Sequence, residues 1–89
     1  MNWQVGFSFR TEKFLIKNHL PREKVFVLVK NAILKFNGED INIDLKKLKG
    51  KWAGFFRIRK GDMRIIVSFD FDKFSVFVDV VDWRGGAYK

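Results

Sequence analysis

The sequence contains no cysteine, which excludes disulfides and thiolate metal sites and fits a reducing compartment. It has a single histidine, His19, so no histidine-based metal constellation can be assembled. There is one proline, Pro21, no internal repeat and no low-complexity tract. No apolar run approaches the ~20 residues that a membrane-spanning helix needs. No segment has the charged start, apolar stretch and small-residue cleavage site of a signal peptide. These absences lead us to expect a soluble, cytoplasmic protein with no membrane partner and neither a metal nor any other cofactor. Acidic residues are also scarce, at 10 against 18 Lys and Arg, a net charge of +8. That imbalance on so small a chain favours polyanionic partners, although it also serves to keep an apolar chain in solution.

What is present is dense in core-forming side chains: 47% of the residues are apolar and 11 are Phe. A chain of 89 residues has room for one hydrophobic core, so a single domain over residues 1–89 is expected. Residues 3–10 alternate, with Trp3, Val5, Phe7 and Phe9 on one side, which is the pattern of a half-buried strand. Thr11 is placed to cap a short helix that runs to about Lys17 and stops at Asn18. Pro21 suits the first position of a second helix, where its missing N–H costs nothing. Val25, Leu28, Val29, Ala32, Ile33 and Phe36 then recur at helical spacing up to the Asn37-Gly38 stop. Residues 39–50 read as a connecting loop anchored by Ile41, Ile43, Leu45 and Leu48. Strand patterns follow over roughly Lys51–Arg59, Met63–Phe69 and Phe74–Val81. The order βααβββ predicts an α+β domain: two N-terminal helices on one face of a mostly antiparallel four-stranded sheet.

The most informative local feature is the hairpin around Lys60-Gly61. With those two residues as the turn, Ile58 faces Met63, Arg57 faces Arg64 and Phe56 faces Ile65. One side then collects Trp52, Phe56, Ile58, Met63, Ile65, Val67 and Phe69, and the other collects Arg57, Arg59, Asp62 and Arg64. A three-residue loop would mix apolar and charged residues on both sides, so the pattern selects a two-residue turn. Like charges placed opposite one another destabilise a sheet by up to ~1 kcal/mol unless an anion sits between them. Three clustered arginines are therefore a candidate phosphate clamp, since guanidinium binds phosphate bidentately and stays charged. The competing reading pairs Arg57 with Asp62 or Asp79 and leaves the others in water. The C-terminal run from Asp82 to Lys89 adds Trp83, Arg84 and Tyr88, aromatic and basic groups of the kind that stack on and hold unpaired bases. The competing reading has Trp83 and Tyr88 close the bottom of the core, and it applies to Trp83 more than to Tyr88.

Taken together, Leu45-Lys46-Lys47-Leu48-Lys49-Gly50, Phe56-Arg57-Ile58-Arg59, Gly61-Asp62-Met63-Arg64-Ile65-Ile66-Val67 and the tail from Val80 through Arg84 to Tyr88 resemble the RelE-type toxins of the RelE/ParE superfamily. The resemblance covers the whole chain, and the βααβββ order matches that family's fold. It implies a metal-independent messenger RNA endonuclease of a type II toxin–antitoxin system. Such an enzyme acts on messenger RNA at the ribosome, with contacts to 16S ribosomal RNA, inhibits translation, and is held in check by a cognate antitoxin. In the reaction it implies, the ribose 2′-hydroxyl attacks the adjacent phosphate and the 5′-oxygen of the next nucleotide leaves.

By this resemblance Arg57, Arg64, Arg84 and Tyr88 are candidate catalytic residues, and Arg59, Lys60, Trp83, Lys47 and Lys49 candidate substrate-binding residues. Arg64 would stabilise charge on the phosphate, Arg84 would bind or protonate it, and Tyr88 would orient a base. The sequence departs from many relatives in carrying Trp83 where they have histidine and Gly85 where they often have a second basic residue. Arginine does not give up its proton, so the general base stays open among Tyr88, Lys60, Lys89 and Asp62. Two alternatives remain beside the nuclease: a ParE-type inhibitor of DNA gyrase, and an RNA-binding module or inactive homologue. The antitoxin is expected to be an acidic, partly disordered chain that covers Arg57, Arg64 and Arg84 or displaces the C-terminal tail.

Overall fold

The computed structural model describes residues 3–83. Strand β1 is Gln4–Phe7, followed by helix α1, Phe9–Lys17, and helix α2, Arg22–Phe36. Four further strands follow: β2, Asp44–Lys47; β3, Phe56–Lys60; β4, Met63–Asp70; and β5, Ser75–Trp83. They form one five-stranded sheet in the order β1-β5-β4-β3-β2, antiparallel throughout except that β1 lies parallel to β5. Both helices pack on the same face, where Val25, Val29 and Leu15 meet Ile58, Ile65, Val67 and Val78 in the main core. The α+β class and the one-sided helix layer agree with the sequence reading; the strand count does not.

The added strand is β2, in the segment read as a loop. Its period-2 signal spans only four residues, and its stability comes from pairing: Asp44 sits beside Arg59, Leu45 beside Ile58, Lys46 beside Arg57 and Lys47 beside Phe56. Lys35 Nζ donates to the Ile43 carbonyl at 3.1 Å, tying α2 to the lead into this strand. Strand β3 starts at Phe56 rather than Lys51. The preceding residues form a 3₁₀ turn, Gly50–Trp52, in a loop where Gly50 and Gly54 have φ of 66° and 91°. The Leu48 N–H donates to the Phe55 carbonyl and closes that loop. Trp52 accordingly leaves the helix face, where the alternation had placed it, and covers Leu48, Ile66 and Val80 on the opposite face with Phe55.

Helix α1 begins three residues earlier than expected, because the cap is Ser8 and not Thr11. The Ser8 hydroxyl accepts from the Thr11 N–H at 3.1 Å, and Phe9, read as the end of the strand, is 76% exposed on the helix. Pro21 lies one position before α2 with extended backbone, and Asn37 with Gly38 ends that helix. A β-bulge interrupts the β4–β5 ladder: Ile66 pairs with Val80 but Val67 with Val78, so Asp79 is the extra residue. The cap of α1 holds this bulge. Ser8 Oγ and Arg10 Nε donate to the Asp79 carbonyl, and Thr11 Oγ1 donates to that of Val78.

Candidate anion-binding face

The turn that builds the arginine cluster is Gly61-Asp62, one residue beyond the expected Lys60-Gly61. Gly61 has φ of 59°, which suits the first position of a two-residue type II′ turn. The register therefore pairs Lys60 with Met63, Arg59 with Arg64, Ile58 with Ile65 and Arg57 with Ile66. Arg59, and not Arg57, lies opposite Arg64. The slip is an even one, so each side chain keeps its face: Ile58 and Ile65 point to the helices, and Arg57, Arg59 and Arg64 to the open side. The like-charge confrontation survives with a different member.

Joining the three ladders gives two rows across the open face. The first reads Asp44, Arg59, Arg64, Asp82, and the second Lys46, Arg57, Ile66, Val80. Asp44 serves both arginines of β3. Its Oδ1 accepts from an Arg57 terminal nitrogen at 3.0 Å, and its Oδ2 forms an ion pair with Arg59, 2.8 Å from Nε. The Arg57 side chain is only 14% exposed, so its charge requires such a partner; that of Arg59 is 45% exposed. Asp79, one of the two acids considered for Arg57, instead holds Arg10.

Arg64 differs from both in making no ion pair among the described residues; its Nε, like that of Arg57, is buried without a hydrogen-bond acceptor. Asp82 stands opposite it in the ladder, but the Asp82 Oδ1 accepts from the Trp83 N–H at 2.7 Å. A partly buried guanidinium with an unsatisfied donor is an incomplete anion site, because a buried donor left unpaired costs ~1–3 kcal/mol.

The remaining candidates do not all join this face. Trp83 is turned away from it: its indole packs on Phe14 of α1 with centroids 5.8 Å apart, and Nε1 donates to Asn18 Oδ1. The bulge is the cause, since it moves Val81 and Trp83 to the helix side and Val80 and Asp82 to the open side. Lys60 pairs with Met63 and lines a hollow with Glu23, Lys24 and Val27 beside α2, so it too lies on the helix side. Lys47 and Lys49 are exposed at the outer edge near Trp52. Arg84 and Tyr88 lie outside the described residues, as does Lys89. Two residues of the face had not been singled out, Asp44 and Lys46, because both belong to the strand that was read as a loop. The described residues contain no grouping of three or more His, Cys, Asp or Glu able to hold a metal. No helix is long and apolar enough to cross a membrane.

A second surface feature lies on the opposite side. Between the edge strand β1 and α2 runs an apolar groove of about 590 Å³ lined by Trp3, Val5, Phe26, Val29, Ile33 and Leu34, with Lys30 beside it.

No family model matches the chain, and no curated protein matches it. Solved structures do. The chain is similar to one from the RelBE2 toxin–antitoxin complex of Mycobacterium tuberculosis, with 26% identity and a TM-score of 0.61 over 94% of this chain and 100% of the other. A chain of the archaeal RelE–RelB complex from Pyrococcus horikoshii shares 24% identity, with a TM-score of 0.63 over 98% and 100%. A conserved hypothetical protein of Helicobacter pylori has the same fold at 16% identity, with a TM-score of 0.67 over 92% and 94%.

Proposed function

This chain is built on the fold of the RelE-type toxins, and from that premise we propose that it is the toxin of a toxin–antitoxin pair and cleaves messenger RNA at the ribosome. The observation that carries this reading is Arg64, a partly buried guanidinium with an unfilled donor on an open face shared with Arg57, Arg59 and Lys46. In the reaction the RNA 2′-hydroxyl forms a bond to the adjacent phosphorus. The bond to the 5′-oxygen of the next nucleotide breaks, and negative charge builds on the phosphate oxygens between those events. Preorganised cations at that point lower the barrier without a metal, each worth a factor of ~10²–10³ in rate. Arg64 supplies the charge, with Arg59 beside it; Arg84 and Tyr88 complete the site in this reading. The partner that keeps the enzyme inactive is an acidic antitoxin. Support for it comes from the charge of +8 and from the apolar groove beside β1, the edge strand of the sheet among the described residues, a shape suited to an added strand.

One observation favours a second reading, an RNA-binding homologue that does not cut: two of the three arginines already have a carboxylate on them. The deciding experiment induces the wild-type chain and its Arg64→Ala variant in a bacterial host and maps new 5′ ends of messages within minutes. The nuclease reading expects ends inside translated regions with wild type and a loss of ~100-fold or more with the variant. Growth arrest with intact messages would overturn it in favour of gyrase. Absence of both effects would leave the binding module.

A further inference from the structure

Asp44 sits where a substrate phosphate would otherwise be drawn. Its two oxygens each take one arginine of β3, at 3.0 and 2.8 Å, in the bridging arrangement that a phosphodiester also adopts between two guanidiniums. The two arginines are held unequally. Arg57 is enclosed on the sheet between Lys46 and Ile66 of the neighbouring strands, with little of its side chain in solvent. Arg59 is nearly half exposed, meets Asp44 through Nε, and lies directly opposite Arg64.

We propose that Asp44 is a built-in counter-anion: in the free protein it takes the place of a phosphate on Arg57 and Arg59, and it gives up Arg59 to Arg64's side when an RNA backbone binds. The inference rests on the reading that this face receives RNA. It adds that the affinity of the face is held down by a residue of the protein itself. Without Asp44 both carboxylate contacts to β3 would be lost and Arg59 would confront Arg64 with its charge unbalanced by that residue, a repulsive pair that favours any polyanion. With Asp44 the free protein is spared that repulsion, and only a ligand that also satisfies Arg64 gains enough to displace the carboxylate. Arg57 stays with Asp44 throughout, because its burial makes release costly.

The test uses the full chain and a short 2′-O-methyl RNA, which binds but lacks the attacking hydroxyl, so the result does not depend on whether the protein is a nuclease. Asp44→Asn keeps the side chain's size and removes its charge. Its affinity for the RNA is expected to rise about three- to tenfold at 0.1 M salt, the scale for deleting one charge near a partly exposed site. The slope of log affinity against log salt should steepen by about 0.7, one further phosphate contact on a single strand. Equal or weaker binding with an unchanged slope overturns the proposal, as does failure of both proteins to bind. Should the variant not fold, the wild type is read directly by arginine Nε–H resonances. RNA must shift Arg59 and Arg64 and leave Arg10, held by Asp79, in place. A shift at Arg64 without one at Arg59 overturns the proposal.

Discussion

The two faces of the sheet are made from the same strands and behave as opposites. On the helix side Ile58, Ile65, Val67 and Val78 are fully buried, and neighbours are interchangeable in chemistry. On the open side a small apolar cluster under Trp52 and Phe55 adjoins a charged row in which two arginines stand between two aspartates, so the identity of each neighbour matters. The comparison teaches where register matters. A two-residue slip of β3 against β4 leaves one apolar residue facing another, so the core hardly records it. On the open face the same slip decides whether Arg57 or Arg59 confronts Arg64, and therefore which guanidinium is available to a ligand.

If the division holds, the faces should respond to truncation in opposite ways. Ile65→Ala should lose ~2–5 kcal/mol in urea unfolding, the usual result of a cavity in a packed core. A smaller loss, of ~1–2 kcal/mol, is expected for Ser8→Ala, which removes both the α1 cap and a bond to the bulge carbonyl of Asp79. Loosening that bulge should also disturb the side chains it directs, visible as a change in Trp83 fluorescence. Arg64→Ala should shift stability by less than ~1 kcal/mol, and upward, because it removes a like-charge pair and a buried unsatisfied donor. If Arg64→Ala destabilised the fold as strongly as Ile65→Ala, the open face would be structural and its reading as a ligand site would collapse.

How much of this was legible in the sequence follows from the length of each pattern. Helix α2 carries four turns of apolar spacing and a Pro21 start, so its limits were readable to within a residue. The apolar alternation of β3 and β4 separated the arginines from the core even though the turn was misplaced by one residue. Strand β2 has too few residues for its alternation to stand out from a loop, and with it went Asp44 and Lys46. Trp83 followed the alternation of its strand only up to Asp79, where the bulge reverses it.

The sequence by itself determined the α+β class, the helix layer, the excess of positive charge and the gathering of three arginines on one side of a hairpin. Those properties depend on local spacing and composition, which a single chain displays along its length. Only the tertiary structure decided that Asp44 holds Arg57 and Arg59, that Arg64 is left to seek an anion, and that Trp83 turns to α1. Those outcomes depend on pairing between segments distant in sequence and on one bulge anchored by Ser8 and Arg10. Side-chain chemistry names the possible partners, but the ladder selects among them.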